Sequence, residues 1–295
     1  MTPTQINYFL TVADKLSFSK AAEQLYVSQP AVSRQVSLLE QELGVPLFSR
    51  SNQGVTLTEA GTAFEQFFLE SQRGFQELLD RVRSNGSEVQ GTVNIGIIEG
   101  WDLSDFYPAL SESMSDAYPN LTLNITGFNL DQILHALERG EVDVIITNES
   151  LLRGHERISS APLTQRRGML LFSAQHRLAR KQGLALEDFK EEPFYVTAPP
   201  TMREATIELF SLCADADFLP KIEYVSGLSS AFLKLSSGRG ALLCNDWMMA
   251  VNNPRFAALP MHIMRNISVA WAAENQSSLV QLLVGELKQY FAEQA

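Results

Sequence analysis

The sequence predicts an α/β chain in three parts: a small helical domain closed by a hairpin, one long helix, and a two-lobed α/β domain. Three observations predict it. Residues 1–58 hold three short amphipathic helical patterns followed by two short strand patterns. An apolar stripe at alternating spacings of four and three residues then runs through a helix from Thr58 to about Arg83. After Gly91, strand and helix patterns alternate towards the end of the chain.

Size and composition agree with this division. At 295 residues, 45% hydrophobic and 19% charged, the chain has room for two separately cored domains. No apolar run reaches the roughly 18–20 residues of a membrane span. The opening stretch carries polar Thr2, Thr4, Gln5 and Asn7, unlike a secretory signal, so a cytoplasmic location is expected. Cys213 and Cys244 are too few and too far apart for a disulfide framework. The net charge of −11 disfavours a polyanionic partner, but residues 1–60 are near neutral. Lys15, Lys20, Arg34 and Arg50 there face Asp14, Glu23, Glu40, Glu42 and Glu59. Local field and helix N-termini decide nucleic-acid contact, so binding to DNA is not excluded.

The first helix spans Thr4 to Leu16, with Ile6, Phe9, Leu10 and Ala13 on its inner face. Ser17 or Ser19 caps a second, Ser19 to Leu25, and Tyr26-Val27 makes the turn. Ser28 caps a third, with Pro30 in its first turn and its end near Gly44. Leu47 to Arg50 and Gly54 to Leu57 then form a hairpin around Ser51-Asn52-Gln53-Gly54. Two helices joined by a tight turn, followed by a hairpin, make a winged helix-turn-helix. On the long helix, Phe64, Phe68, Ser71, Phe75, Leu78 and Val82 form a coiled-coil seam suited to a second copy of the chain. Ser84-Asn85-Gly86-Ser87 reads as a hinge.

Beyond Gly91, strands at Val93 to Ile98, Leu121 to Thr126 and Val142 to Ile146 alternate with helices at Leu103 to Ala117 and Leu130 to Arg139. This βαβαβ order implies a parallel sheet covered on both faces. Further strands fall at Gly168 to Phe172, Phe194 to Thr197, Lys221 to Val225, Gly240 to Leu243 and Ile267 to Trp271. Helices fall at Thr201 to Cys213, Leu228 to Ser237 and Ser277 to Phe291, the last returning to the first lobe. The expected domains are 1–58, a linker helix and hinge at 59–90, and a sensor domain at 91–295. Its first lobe takes about 91–161 and 266–295, its second about 162–265.

Phe18-Ser19-Lys20-Ala21-Ala22-Glu23-Gln24-Leu25, Val27-Ser28-Gln29-Pro30-Ala31-Val32-Ser33-Arg34-Gln35-Val36 and Leu43-Gly44-Val45-Pro46-Leu47-Phe48-Ser49-Arg50 resemble the LysR-type transcription regulators. Leu57-Thr58-Glu59-Ala60-Gly61 fits the same pattern. Weaker likeness continues at Ile95-Gly96, Tyr118-Pro119, Gln175-His176-Arg177-Leu178 and Gly238-Arg239-Gly240. The resemblance implies a periplasmic-binding-protein-like sensor domain, a small effector between its lobes, and a dimer that pairs into a tetramer. It also implies promoter DNA as partner, with RNA polymerase left open as a further one.

A recognition helix enters the major groove with its N-terminal residues nearest the bases. Gln29 and Ser33 share that leading face, and Gln pairs bidentately with adenine. Ser28 serves as cap or base contact, Arg34 suits guanine or phosphate, and Pro30 and Ala31 offer apolar contact. Ser19, and Arg50 with Thr56 on the wing, suit phosphate oxygens.

Ligands of open α/β sheets sit beyond the carboxyl ends of the strands. In the first lobe those ends carry Glu99, Gly100, Trp101 and Asp102, then Phe128 and Asn129, then Thr147 and Asn148. The second lobe offers Thr197, Thr201, Arg203, Ser226 and Asn245. Family members that take carboxylate effectors often carry serine or threonine where this chain has Glu99 and Gly100. With Glu149, the acids Glu99 and Asp102 beside Trp101 and Phe128 suit an amine-bearing or aromatic cation. Against this, Asp102 is an ordinary N-cap choice, and helix N-termini and Arg203 favour an anion. The four histidines show no metal spacing, and no nucleotide-binding or nucleophile motif is present. Neither metal, cofactor nor enzymatic activity is expected, and the cysteines read as buried and inert.

Overall fold

The computed structural model describes residues 1–51, 54–83, 89–197, 204–275 and 277–294. Its backbone divides into two compact units, Met1–Leu79 and Asp80–Ala295.

The first unit contains α1 (Pro3–Lys15), α2 (Phe18–Gln24), α3 (Gln29–Leu43), the hairpin β1 (Phe48–Ser51) and β2 (Gly54–Leu57), and the start of α4 (Glu59–Arg83). A capping box opens α1: the Thr2 hydroxyl accepts from the Gln5 N–H, and the Gln5 side chain accepts from the Thr2 N–H. Two donors orphaned at a helix start are thereby satisfied. Of the two candidate caps for α2, Ser17 serves, accepting from the Lys20 N–H, while Ser19 lies exposed within the helix. Ser28 holds the N-cap position of α3, yet its side chain makes no capping bond, contrary to expectation. Pro30 has no N–H to offer it, and the Ala31 N–H already donates to the Ser28 carbonyl at 2.9 Å.

Phe9, Val32, Val36, Leu39 and Leu47 are fully buried and form the centre of this unit. Phe68 of α4 joins them, 3% exposed, its ring centroid 5.9 Å from that of Phe9, and Phe64 packs partly buried beside it. This corrects the expected seam. The first turns of α4 cover their own domain, so Phe64 and Phe68 are not free for a second chain. Phe67 and Phe75 are the exposed aromatic residues of the helix, at 57% and 63%. The side chains of Leu78 and Val82, the hinge at 84–87 and the turn residues Asn52 and Gln53 lie outside the described residues.

The junction between wing and α4 is tight. The Thr58 hydroxyl accepts from the Gly61 N–H at 2.9 Å and donates to the Pro46 carbonyl at 2.7 Å. A Cβ on Gly61 would stand 2.0 Å from the Leu47 carbonyl oxygen.

The second unit runs β3 (Gln90–Ile98), α5 (Tyr107–Ala117), β4 (Asn120–Phe128), α6 (Ile133–Glu138), β5 (Val144–Asn148) and β6 (Ile158–Ser173). It continues with β7 (Pro193–Val196), α7 (Glu204–Asp215), β8 (Lys221–Tyr224), α8 (Leu228–Leu235), β9 (Leu242–Asn245), β10 (Phe256–Ala272) and α9 (Ser278–Glu293). β3 pairs in parallel with β4 and β5, as the βαβαβ pattern predicts. The main sheet has the order β4-β3-β5-β10-β6-β9, and β7-β8 is a separate parallel pair. The strands expected at 168–172 and 267–271 are the ends of far longer ones. β6 and β10 have 16 and 17 residues and pair antiparallel, joining β5 at one end and β9 at the other.

Local chemistry explains the shifted helix boundaries. α5 starts four residues later than expected because Pro108 sits in its first turn, where a missing N–H is harmless. Gly140, at φ 68°, follows the short α6. Two cores result, one around the first sheet with α9, the other around Leu170, Phe172, Phe189, Phe194 and Leu209. α9 returns to the first lobe, where Phe291 meets Phe106 at 5.1 Å. His176 is buried rather than solvated. Its Nδ1 accepts from the Leu178 N–H at 3.1 Å, and its ring stacks on Phe189.

A paired substitution checks the wing junction by chemical denaturation. Gly61→Ala is expected to destabilise the chain by at least about 2 kcal/mol through overpacking. Gly74→Ala, on the same helix in open space, is expected to stabilise it by about 0.5–1 kcal/mol.

Candidate functional site

The leading end of α3 is a polar, accessible surface. Ser28, Gln29, Pro30 and Arg34 are exposed, with Ala31 and Ser33 half-buried between them. On the wing, Thr56 and Arg50 are exposed, and the Arg50 guanidinium lies 4.3 Å from the centroid of the Phe18 ring. That contact holds a cation over the start of α2, where Ser19 is also exposed. The Glu40 carboxylate points into the fold, accepting from the Leu47 and Phe48 N–H groups at 2.8 and 3.1 Å. One acid of this domain is thus occupied in fixing the wing.

In the second unit, a pocket of about 460 Å³, counting its open mouth, lies at the carboxyl ends of β3, β4 and β5. Seven of the expected effector residues line it. Glu99, Trp101, Phe128, Asn129 and Asn148 come from the first lobe, Thr197 and Asn245 from the second. Four others do not. Gly100 turns the chain at φ 79°, with Leu228 and Met248 packed where its Cβ would go. Asp102 caps no helix, since α5 starts at Tyr107; it turns back on the loop before it, where hydrogen bonds from the Ser104 hydroxyl and N–H hold its carboxyl below the ordinary value. Thr147 is fully buried, and Ser226 is exposed and paired with Ser230 at 3.0 Å. Glu149 is exposed and likewise absent from the lining. Thr201 and Arg203 lie outside the described residues.

Sequence reasoning missed the apolar half of the lining, including Leu228, Leu242 and Met248, because apolar residues at strand and helix ends read as core. It also missed Arg265, which the long β10 carries to the pocket. Arg265 is ion-paired with Glu208 on α7, its Nε donating at 2.6 Å. Trp101 is buried, its ring edge-on to Trp247 at 5.3 Å. The backbone there crosses from one lobe to the other: the Met249 N–H donates to the Gly100 carbonyl at 2.9 Å and the Asp102 N–H to the Trp247 carbonyl at 2.6 Å. The side-chain oxygens of Thr147 and Asn148 are buried without a hydrogen-bond partner. Among the described residues, no three His, Cys, Asp or Glu side chains are placed to hold a metal.

Comparison with known proteins follows this division of the chain. The family model described as "Bacterial regulatory helix-turn-helix protein, lysR family" matches residues 3–62, and that described as "LysR substrate binding domain" matches residues 86–292. The HTH-type transcriptional regulator ShiR of Corynebacterium glutamicum (strain R) is 30% identical, over 86% of this chain and 85% of its own. The crystal structure of CbnR, a LysR family transcriptional regulator, has the same fold: TM-score 0.69 at 21% identity, covering 98% of this chain and 99% of that one. Full-length CbnR complexed with its target DNA gives 0.67 at 19%, with the same coverage.

Burial pushes the Cys213 thiol up to about 11 and the Cys244 thiol, in the pocket lining, up to about 12. Both are protonated near neutrality and shielded, and the thiolate is the reactive form. An aromatic disulfide reagent is expected to leave both unmodified in the folded chain and to titrate both after unfolding, read by absorbance.

Proposed function

We propose a scheme of control that starts from one premise: the chain belongs to the LysR family, and is a DNA-binding transcription regulator with a substrate-binding effector domain. The leading end of α3 enters the major groove of promoter DNA. Gln29 and Ser33 read base edges, with Ser28, Pro30 and Ala31 beside them, and Arg34 contacts guanine or phosphate. Ser19, Arg50 and Thr56 contact phosphates and set the register without specifying sequence. The observation that carries this reading is the α3 N-terminus itself, where Ser28 caps nothing and its polar neighbours are exposed. CbnR, a protein of similar fold, is known complexed with its target DNA, which supports DNA as the partner.

The pocket between the lobes is the effector site. A ligand that touches both lobes favours their closed arrangement and shifts its population. The chain acts as a homo-oligomer, a dimer that pairs into a tetramer. Exposed Phe67 and Phe75 on α4 are the surface a second copy covers. It acts in the cytoplasm, where its DNA is, and has no enzymatic role. RNA polymerase is a further partner of promoter-bound regulator in the same scheme.

Arg34→Ala is expected to leave the circular dichroism spectrum and melt unchanged while weakening binding to operator DNA by about 1–3 kcal/mol. Fluorescence anisotropy on a labelled operator measures it, and an unchanged midpoint removes Arg34 from the interface. Phe75→Asp is expected to weaken subunit association by at least about 1.5–3 kcal/mol, the worth of burying one such side chain. Sedimentation velocity across a dilution series reads this directly.

A further inference from the structure

We infer that the pocket takes an organic monocation, an amine carried on an aromatic or similarly apolar body. The inference rests on the reading of this pocket as the effector site. It follows from which charges in the lining are already neutralised. Among the described residues, the charged side chains lining the pocket are Glu99 and Arg265. Arg265 is engaged: its Nε and one Nη both donate to one oxygen of the Glu208 carboxylate, and its side chain is 15% exposed. A ligand carboxylate arriving there meets a cation whose charge is already matched and whose donors are partly taken. Glu99, at the end of β3, is exposed and makes no ion pair among the described residues. Among the described residues, the lining with its bound partner therefore carries one unbalanced negative charge.

A second attraction for anions is crowded from the opposite lobe. α8 starts at Leu228 in the pocket wall, and a helix start ordinarily favours negative charge. Here the Asn129 side-chain oxygen lies 3.0 Å from where a Cβ on Gly227, the N-cap of α8, would stand. The Asn129 side chain from the opposite lobe thus stands beside that N-cap. The remaining polar lining supplies Thr197 and the amides Asn129, Asn148 and Asn245, and the side-chain oxygen of Asn148 has no partner among the described residues. An ammonium brings three donors and no acceptor, which suits a carboxylate and amide oxygens together. Trp101 and Phe128 add aromatic faces, favourable to a cation, and Leu228, Leu242 and Met248 complete an apolar floor.

The test is isothermal titration of the full-length protein with three probes of similar body: 2-phenylethylamine, 3-phenylpropionate and phenylalanine. Wild type is expected to bind the amine about tenfold or more tightly than the other two, the worth of one charge-assisted hydrogen bond. Glu99→Gln, a change at an exposed position, is expected to remove that preference, lowering amine affinity about tenfold and leaving the carboxylate no weaker. Leu130→Trp, which fills the pocket, is expected to abolish binding. If 3-phenylpropionate or phenylalanine binds wild type as tightly as the amine, Arg265 is not neutralised and the monocation assignment is wrong, while the pocket reading stands. The assignment is equally wrong if none of the three binds at millimolar concentration, or if Glu99→Gln leaves the amine unaffected. If Leu130→Trp folds and still binds the amine like wild type, the pocket is not the site, and the reading beneath the inference fails with it.

Discussion

The antiparallel pairing of β6 with β10 is the constraint on which the second unit depends. It runs from Ile158 opposite Ala272 to Ser173 opposite Phe256, so one ribbon enters both lobes. At one end β10 pairs with β5 and at the other β6 pairs with β9, so the ribbon joins the two ends of one six-stranded sheet. A pocket at the carboxyl ends of β3, β4 and β5 has a second wall because this ribbon holds the other lobe opposite them. Arg265 reaches that pocket only because β10 is long enough to carry it there. The register slips between Pro260 and Met264, and again between Ile267 and Ser268. Such irregularities bend and twist a strand locally, and here they fall where the ribbon passes from one lobe to the other.

Electrostatics divides the chain in the same way. A net charge of −11 is poorly suited to a polyanionic partner, yet the first 60 residues are near neutral. Structure improves that balance further. Glu40 is turned inwards onto two backbone N–H groups, and Arg50 is held over Phe18 instead of drifting through solvent. A cation fixed over an aromatic ring loses less side-chain freedom on meeting a phosphate than a free arginine does. The acidity downstream has its own place in the proposed scheme at Glu99, an exposed acid in the described pocket lining.

What the sequence made legible was local, and what it hid was long-range. Caps and breakers announced α2 and α3: Ser17, Pro30 and Gly44 act within a few residues of themselves. The βαβαβ alternation was equally plain, since β3 and β5 read as continuous apolar runs buried on both faces. β6 was not, because its middle is polar and contains Pro162, a residue that ordinarily argues against a paired strand. Only its partner β10, a hundred residues away, makes it a strand. Phe68 misled for a related reason. Its heptad spacing is genuine, but spacing cannot tell a partner chain from α1, and Phe9 had already claimed that face. The pocket divided similarly. Polar residues at strand ends stood out, whereas Leu228, Met248 and Arg265 are pocket residues by virtue of tertiary placement alone.

The cleft is also joined along one side, and that limits how it can respond to a ligand. Trp247 leaves the second lobe to sit against Trp101, Phe106 and Phe291 of the first, while backbone hydrogen bonds tie Gly100 and Asp102 to Met249 and Trp247. Each such bond contributes about 0.5–1.5 kcal/mol net, and the buried indole adds more. Separating the lobes outright would forfeit all of this together. A rotation that leaves the clasp intact and bends the ribbon at its two register slips forfeits far less.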